Sequence, residues 1–253
     1  MLRKLKSVLK SPKGLILPLA LKAAVFGGLL VIASGAKQSH WPLALLFILA
    51  ALYFYFRPSL NVGQFFASFL VLITTATLIM SLRGGAEAIF IPLSLFLGFL
   101  FFLLLGIKNL IFVKREPFYY LLNGLLLLVI FILFFWSAQS HLFFVKYLLV
   151  FFAIAFLFKE FLNFFIPESL HSQKRNLVVW GTAFLVLQLL WVISLLPISF
   201  LNAASLSLLI MLILQDFIVH HFSGTISRQL VLRNITVFLI LSLVIFGASK
   251  WTL

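Results

Sequence analysis

Residues 117 to 136 read PFYYLLNGLLLLVIFILFFW, a stretch that opens on proline, closes on tryptophan and is almost unbroken in its apolarity. The run Leu125-Leu126-Leu127-Leu128-Val129-Ile130 does not alternate with polar residues, so it is no strand of an outer-membrane barrel. At 1.5 Å per residue its length matches the roughly 30 Å hydrocarbon core of a bilayer. A helix that crosses a membrane satisfies each backbone group within its own segment, which water-free surroundings demand.

Eight further stretches resemble it. Candidate spans lie at 15–34, 41–56, 63–81, 88–107, 142–158, 177–197, 203–219 and 235–249. The 253-residue chain is 64% hydrophobic and 9% charged, with a mean hydropathy of +1.24, too little polar surface to coat a soluble globule. The reading is an all-α polytopic bundle of about nine transmembrane helices. The whole of 1–253 forms one membrane-embedded domain, and residues 1–14 form a basic leader.

A net charge of +14 would suggest nucleic acid in a soluble protein; here its distribution is a topology signal. Fourteen cations lie in the leader and in the loops after spans 2, 4, 6 and 8: Arg3, Lys4, Lys6, Lys10, Lys13, Arg57, Lys108, Lys114, Arg115, Lys159, Lys174, Arg175, Arg228 and Arg233. The opposite side has Lys37, Arg83 and Lys250, and Lys22 and Lys146 lie within spans. The positive-inside rule places the N-terminus in the cytosol, the C-terminus outside, and the chain in the cell membrane. The leader followed by Ala33-Ser34-Gly35-Ala36 also resembles a signal peptide. A retained helix is preferred, because the apolar run is longer than the usual signal core of about 7 to 15 residues and contains Lys22. Cleavage would leave eight spans.

Two patterns concern packing. Ala20, Ala24 and Gly28 place a small residue every four positions on one face of span 1, which lets a second backbone approach, from this chain or from another copy. The even spans share polar marks at Arg57, Lys108, Lys159 and Gln215. That spacing reads either as a fourfold helical hairpin or as the by-product of uniform helix lengths. After Lys108 and Lys159 the apolar sequence continues through Leu110-Ile111-Phe112-Val113 and Phe161-Leu162-Asn163-Phe164-Phe165-Ile166, as interfacial extensions or as longer helices.

Catalytic patterns are missing from the sequence. It has no cysteine, no His-Glu-x-x-His, no Gly-x-Ser-x-Gly, no Walker loop and no Gly-x-Gly-x-x-Gly. Its five acids, Glu87, Glu116, Glu160, Glu168 and Asp216, avoid the span centres where an ion-coupled carrier would place one. No cofactor, metal or nucleic-acid partner is expected.

The densest polar cluster is Gln215-Asp216-Phe217-Ile218-Val219-His220-His221-Phe222-Ser223-Gly224-Thr225, with Arg228, Gln229 and Arg233 following. Asp216 and His220 share a helix face four residues apart, so with His221 and Arg228 they suit an anionic headgroup, or a metal if a third ligand arrives. The plain alternative makes them interfacial residues with Asp216 paired locally and Ser223-Gly224-Thr225 a turn. Lys22, about 10 Å into span 1, either meets an anion in a cavity or snorkels to the inner headgroups. Three functions are consistent with these residues: a small permease or lipid-handling protein in contact with anionic headgroups, a non-catalytic subunit or scaffold that docks a partner or another copy, and an inner-leaflet enzyme built on Asp216 and His220.

Overall fold

The computed structural model describes residues 12–35, 40–57, 65–81, 87–109, 111–112, 114–136, 143–166 and 172–248. Among them are nine helices and no strand: α1 Pro12–Gly35, α2 His40–Phe56, α3 Phe66–Ser81, α4 Glu87–Lys108, α5 Arg115–Trp136, α6 Phe143–Phe165, α7 Ser172–Ser194, α8 Phe200–Phe222 and α9 Arg228–Gly247. All but α2 and α3 are long and apolar enough to cross a bilayer, which makes a helical membrane bundle. The two shorter ones, with 17 and 16 residues, rise only about 26 and 24 Å.

Packing divides the chain into two compact units, Met1–Leu122 and Asn123–Leu253. In the first, α1 packs most extensively against α4. Gly27 and Gly98 make this possible. A Cβ on Gly98 would stand 3.3 Å from the Ala23 carbonyl oxygen and 3.5 Å from Gly27 Cα, and one on Gly27 would stand 3.4 Å from the Ser94 carbonyl oxygen. The pairing of 23 with 98 and 27 with 94 makes the two helices antiparallel. The close approach therefore falls one position off the Ala20, Ala24 and Gly28 stripe. Those three are exposed, and nothing lies within 4 Å of a Cβ on Gly28. Spacing alone picks out small residues but not which of two adjacent faces meets a neighbour.

An aromatic column fills the rest of this unit. Phe26 of α1 stacks on Phe101 of α4 at 4.3 Å and meets Phe47 of α2 at 4.8 Å, while Tyr55 of α2 stacks on Phe69 of α3 at 4.0 Å. These five rings are at most 1% exposed, and each buries on the order of 150 to 250 Å². α1 supplies Phe26 and Leu30 to this core.

The apolar tails behave differently from one another. α6 runs unbroken to Phe165, with Phe161 and Leu162 buried, so the longer-helix reading holds there. α4 stops at Lys108. The chain then folds back, Ile111 N–H donating to the Gly106 carbonyl at 3.1 Å. Phe112 stacks on Phe118 at 4.0 Å and its ring occupies the place a Cβ on residue 106 would need, 2.5 Å away. A side chain at 106 would have to displace that ring.

Arg57 and Lys108 sit at helix ends, whereas α6 ends six residues past Lys159 and α8 seven past Gln215. The four marks are thus not equivalent positions, which favours uniform helix length over a true repeat as the source of the spacing.

In the second unit, α5 and α8 are antiparallel neighbours, with Trp136 stacked near Phe200 at 6.4 Å and Gly124 facing Leu212. α6 packs along α7, where Trp180 lies among Phe151, Phe152 and Phe156. Trp180 is the ninth residue of α7, and its indole packs on these rings while remaining partly exposed. The last helix is set apart: only Leu230 and Asn234 of α9 are buried.

Candidate functional site

The end of α8 carries the cluster that the sequence singled out. The helix continues to Phe222 and is closed by a turn in which Gly224 adopts φ +65°. Its N–H bonds the His221 carbonyl at 3.2 Å, and Thr225 N–H bonds that of His220 at 3.0 Å. This left-handed position is the usual stop for a helix and favours glycine. The chain then re-enters α9 through Ser227, whose hydroxyl accepts from Leu230 N–H at 3.2 Å. The cap satisfies one of the backbone donors that a helix start leaves open.

This hairpin brings Asp216 against α9. Its Oδ2 accepts 2.7 Å and 3.3 Å hydrogen bonds from Asn234 Nδ2 and Arg233 Nη2. His220 Nδ1 lies 3.3 Å from Asp216 Oδ1 and 2.9 Å from its backbone carbonyl oxygen. The expected Asp216–His220 pair is therefore real, but two residues of α9 complete it. Arg233 remains 62% exposed. Arg228 and His221 are exposed as well, and neither joins the carboxylate. Among the described residues no group of three metal-ligating side chains forms.

One residue before Asp216, Gln215 Nε2 donates to Asn123 Oδ1 at 3.0 Å, joining α8 to α5. The two side chains are 1% and 0% exposed. Asn123 Nδ2 and Gln215 Oε1 have no hydrogen-bond partner among the described residues.

Lys22 belongs to the first unit. Its Nζ reaches back to the end of α2, 2.6 Å from the Arg57 carbonyl oxygen and 3.4 Å from that of Phe54. Backbone carbonyls at the end of α2 thus receive the ammonium. Lys146 takes a different route and lies 4.2 Å from the Phe134 ring centroid, a cation–π contact. The charged loop around Arg83 and the leader through Lys10 fall outside the described residues.

Sequence reading missed Asn123, Asn234 and Lys108. Asn123 was legible as a lone amide within an apolar run, since such a group seeks a partner on a facing helix. Asn234 was hidden because the ninth span was placed to begin at 235, whereas α9 begins at Arg228. Compared with known protein families, curated proteins and solved structures, the chain matches none.

Proposed function

We propose that the protein handles lipid at the inner leaflet, as a small permease or lipid-binding membrane protein, with the α8–α9 turn in contact with anionic headgroups. The observation that carries this reading is the state of Asp216. Its carboxylate is engaged by Asn234, Arg233 and His220, so it serves as an internal anchor rather than as a free base or metal ligand. Around that single fixed acid stand Arg228 and Arg233, both exposed, together with His220 and His221. The rim is net positive. The charge bias supports a rim at the cytosolic leaflet, whose anionic lipids attract basic residues by about 1 kcal/mol each.

Native mass spectrometry of the protein released from mild detergent tests this. The parent should retain anionic phospholipid, and Arg228→Gln combined with His221→Gln should lose most of it at unchanged yield. Equal retention by the two proteins removes the turn from any headgroup contact.

A second reading, a non-catalytic subunit, is favoured by α9, along which Leu232, Leu239, Leu243 and Val244 are all exposed. A partner protein that co-purifies stoichiometrically and is released by polar substitutions on this face would make it the leading one.

A further inference from the structure

The first unit carries a second concentration of charge that the lipid-handling reading does not use. Three cations from three helices converge where α2 ends. Lys22 of α1 holds the Arg57 carbonyl, as described above. Lys108, the last residue of α4, is 9% exposed; its Nζ donates to the Tyr55 carbonyl at 2.6 Å and sits 3.6 Å from the Tyr55 ring centroid. Arg57 follows α2 directly and donates to the Tyr53 hydroxyl.

Among the described residues of this unit no acid is paired with them. Residues 1–122 contain twelve Lys and Arg but only two acids, Glu87 and Glu116. Glu87 begins the helix that Lys108 ends, about 31 Å away along the axis. Glu116 is exposed and pairs with none of the three. The end of α2 supplies only the partial charge of a helix C-terminus, about −0.5, against three full positive charges. Lys108 is buried, Lys22 half-buried and Arg57 exposed; holding such cations together without a counter-charge is costly, and the cost is relieved by an anion that accepts charge-assisted hydrogen bonds.

We propose that Lys22, Arg57 and Lys108 form a binding site for a phosphate group. An ammonium retains donors after serving one or two carbonyls, and a guanidinium fork suits phosphate oxygens. The phosphate is carried by a membrane lipid or is free in the cytosol, and the experiment separates the two.

The full-length protein in mild detergent is titrated with phosphatidylglycerol, with dioleoylglycerol, which has the tails without the phosphate, and with sodium phosphate, while its thermal unfolding is followed. A midpoint that rises with phosphatidylglycerol but not with dioleoylglycerol or sodium phosphate identifies a lipid phosphate; a rise with sodium phosphate identifies free phosphate. Arg57→Gln, at an exposed position, should weaken the response about tenfold, the loss of one charge-assisted hydrogen bond. Lys22→Gln with Lys108→Gln should abolish it. Arg228→Gln should leave it intact, so that failure here and failure of the α8–α9 reading are told apart. The proposal is overturned if neither phosphate source raises the midpoint, if dioleoylglycerol acts as well as phosphatidylglycerol, or if Arg57→Gln responds as the parent does.

Discussion

Asn234 Nδ2 donates to Asp216 Oδ2 at 2.7 Å, and this bond is the shortest of those that hold the last helix to its predecessor. Asn234 is 7% exposed, and with Leu230 it makes up the buried part of α9. The remainder of that helix depends on the bilayer. Asn234→Leu should therefore loosen α9 selectively, costing about 1 to 3 kcal/mol because a hydrogen bond to a charged group is lost. Proteolysis in detergent checks this: cleavage in the turn near Thr225 should accelerate while α1 to α4 remain protected.

Gln215 and Asn123 lead to the opposite sign for a double change. Each single replacement by leucine strands the other amide in an apolar interior, at about 1 to 2 kcal/mol. Replacing both removes two groups that already lack partners for Asn123 Nδ2 and Gln215 Oε1. In a thermal-unfolding double-mutant cycle, Asn123→Leu and Gln215→Leu should each lower the midpoint, and the pair together should match or exceed the parent. Additive losses would mean that the amides do not act on each other.

Gly98 and Gly28 separate true packing from mere spacing. Gly98→Leu drives a side chain into the Ala23 carbonyl and Gly27 Cα, backbone atoms that cannot yield, and overpacking of this kind costs about 1 to 3 kcal/mol. Gly28→Leu enters open space and should be neutral or slightly stabilising, since leucine favours the helix over glycine. Equal losses at the two positions would show that the 20–24–28 face is covered as well.

The fold class was legible because hydropathy over twenty residues is a one-dimensional signal, and α5, Arg115–Trp136, matches the apolar stretch 117–136 almost to the residue. Helix ends were less so. The ninth span was placed seven residues late because Arg228 and Arg233 look like loop; they are the first turns of α9, where the helix meets the boundary its own cations mark. The Asp216–His220 pair was legible from i,i+4 spacing. Asn234 and Lys108 act across helices, and no spacing within one helix encodes which facing turn a side chain reaches. Matching depths would have helped. Asn123 lies eight residues past the start of α5 and Gln215 seven before the end of α8, so both stand about 10 to 12 Å from the same boundary.

The central claim is a membrane-spanning bundle whose cation-rich helix ends, the α8–α9 turn among them, face the cytosol. With no native cysteine, single cysteines report it directly. In intact cells an impermeant thiol reagent should label Pro197→Cys, in the exposed turn between α7 and α8. It should reach Lys114→Cys and Thr225→Cys only after the membrane is permeabilised. Labelling of Thr225→Cys from outside intact cells, with Pro197→Cys protected, would invert the topology and contradict the account.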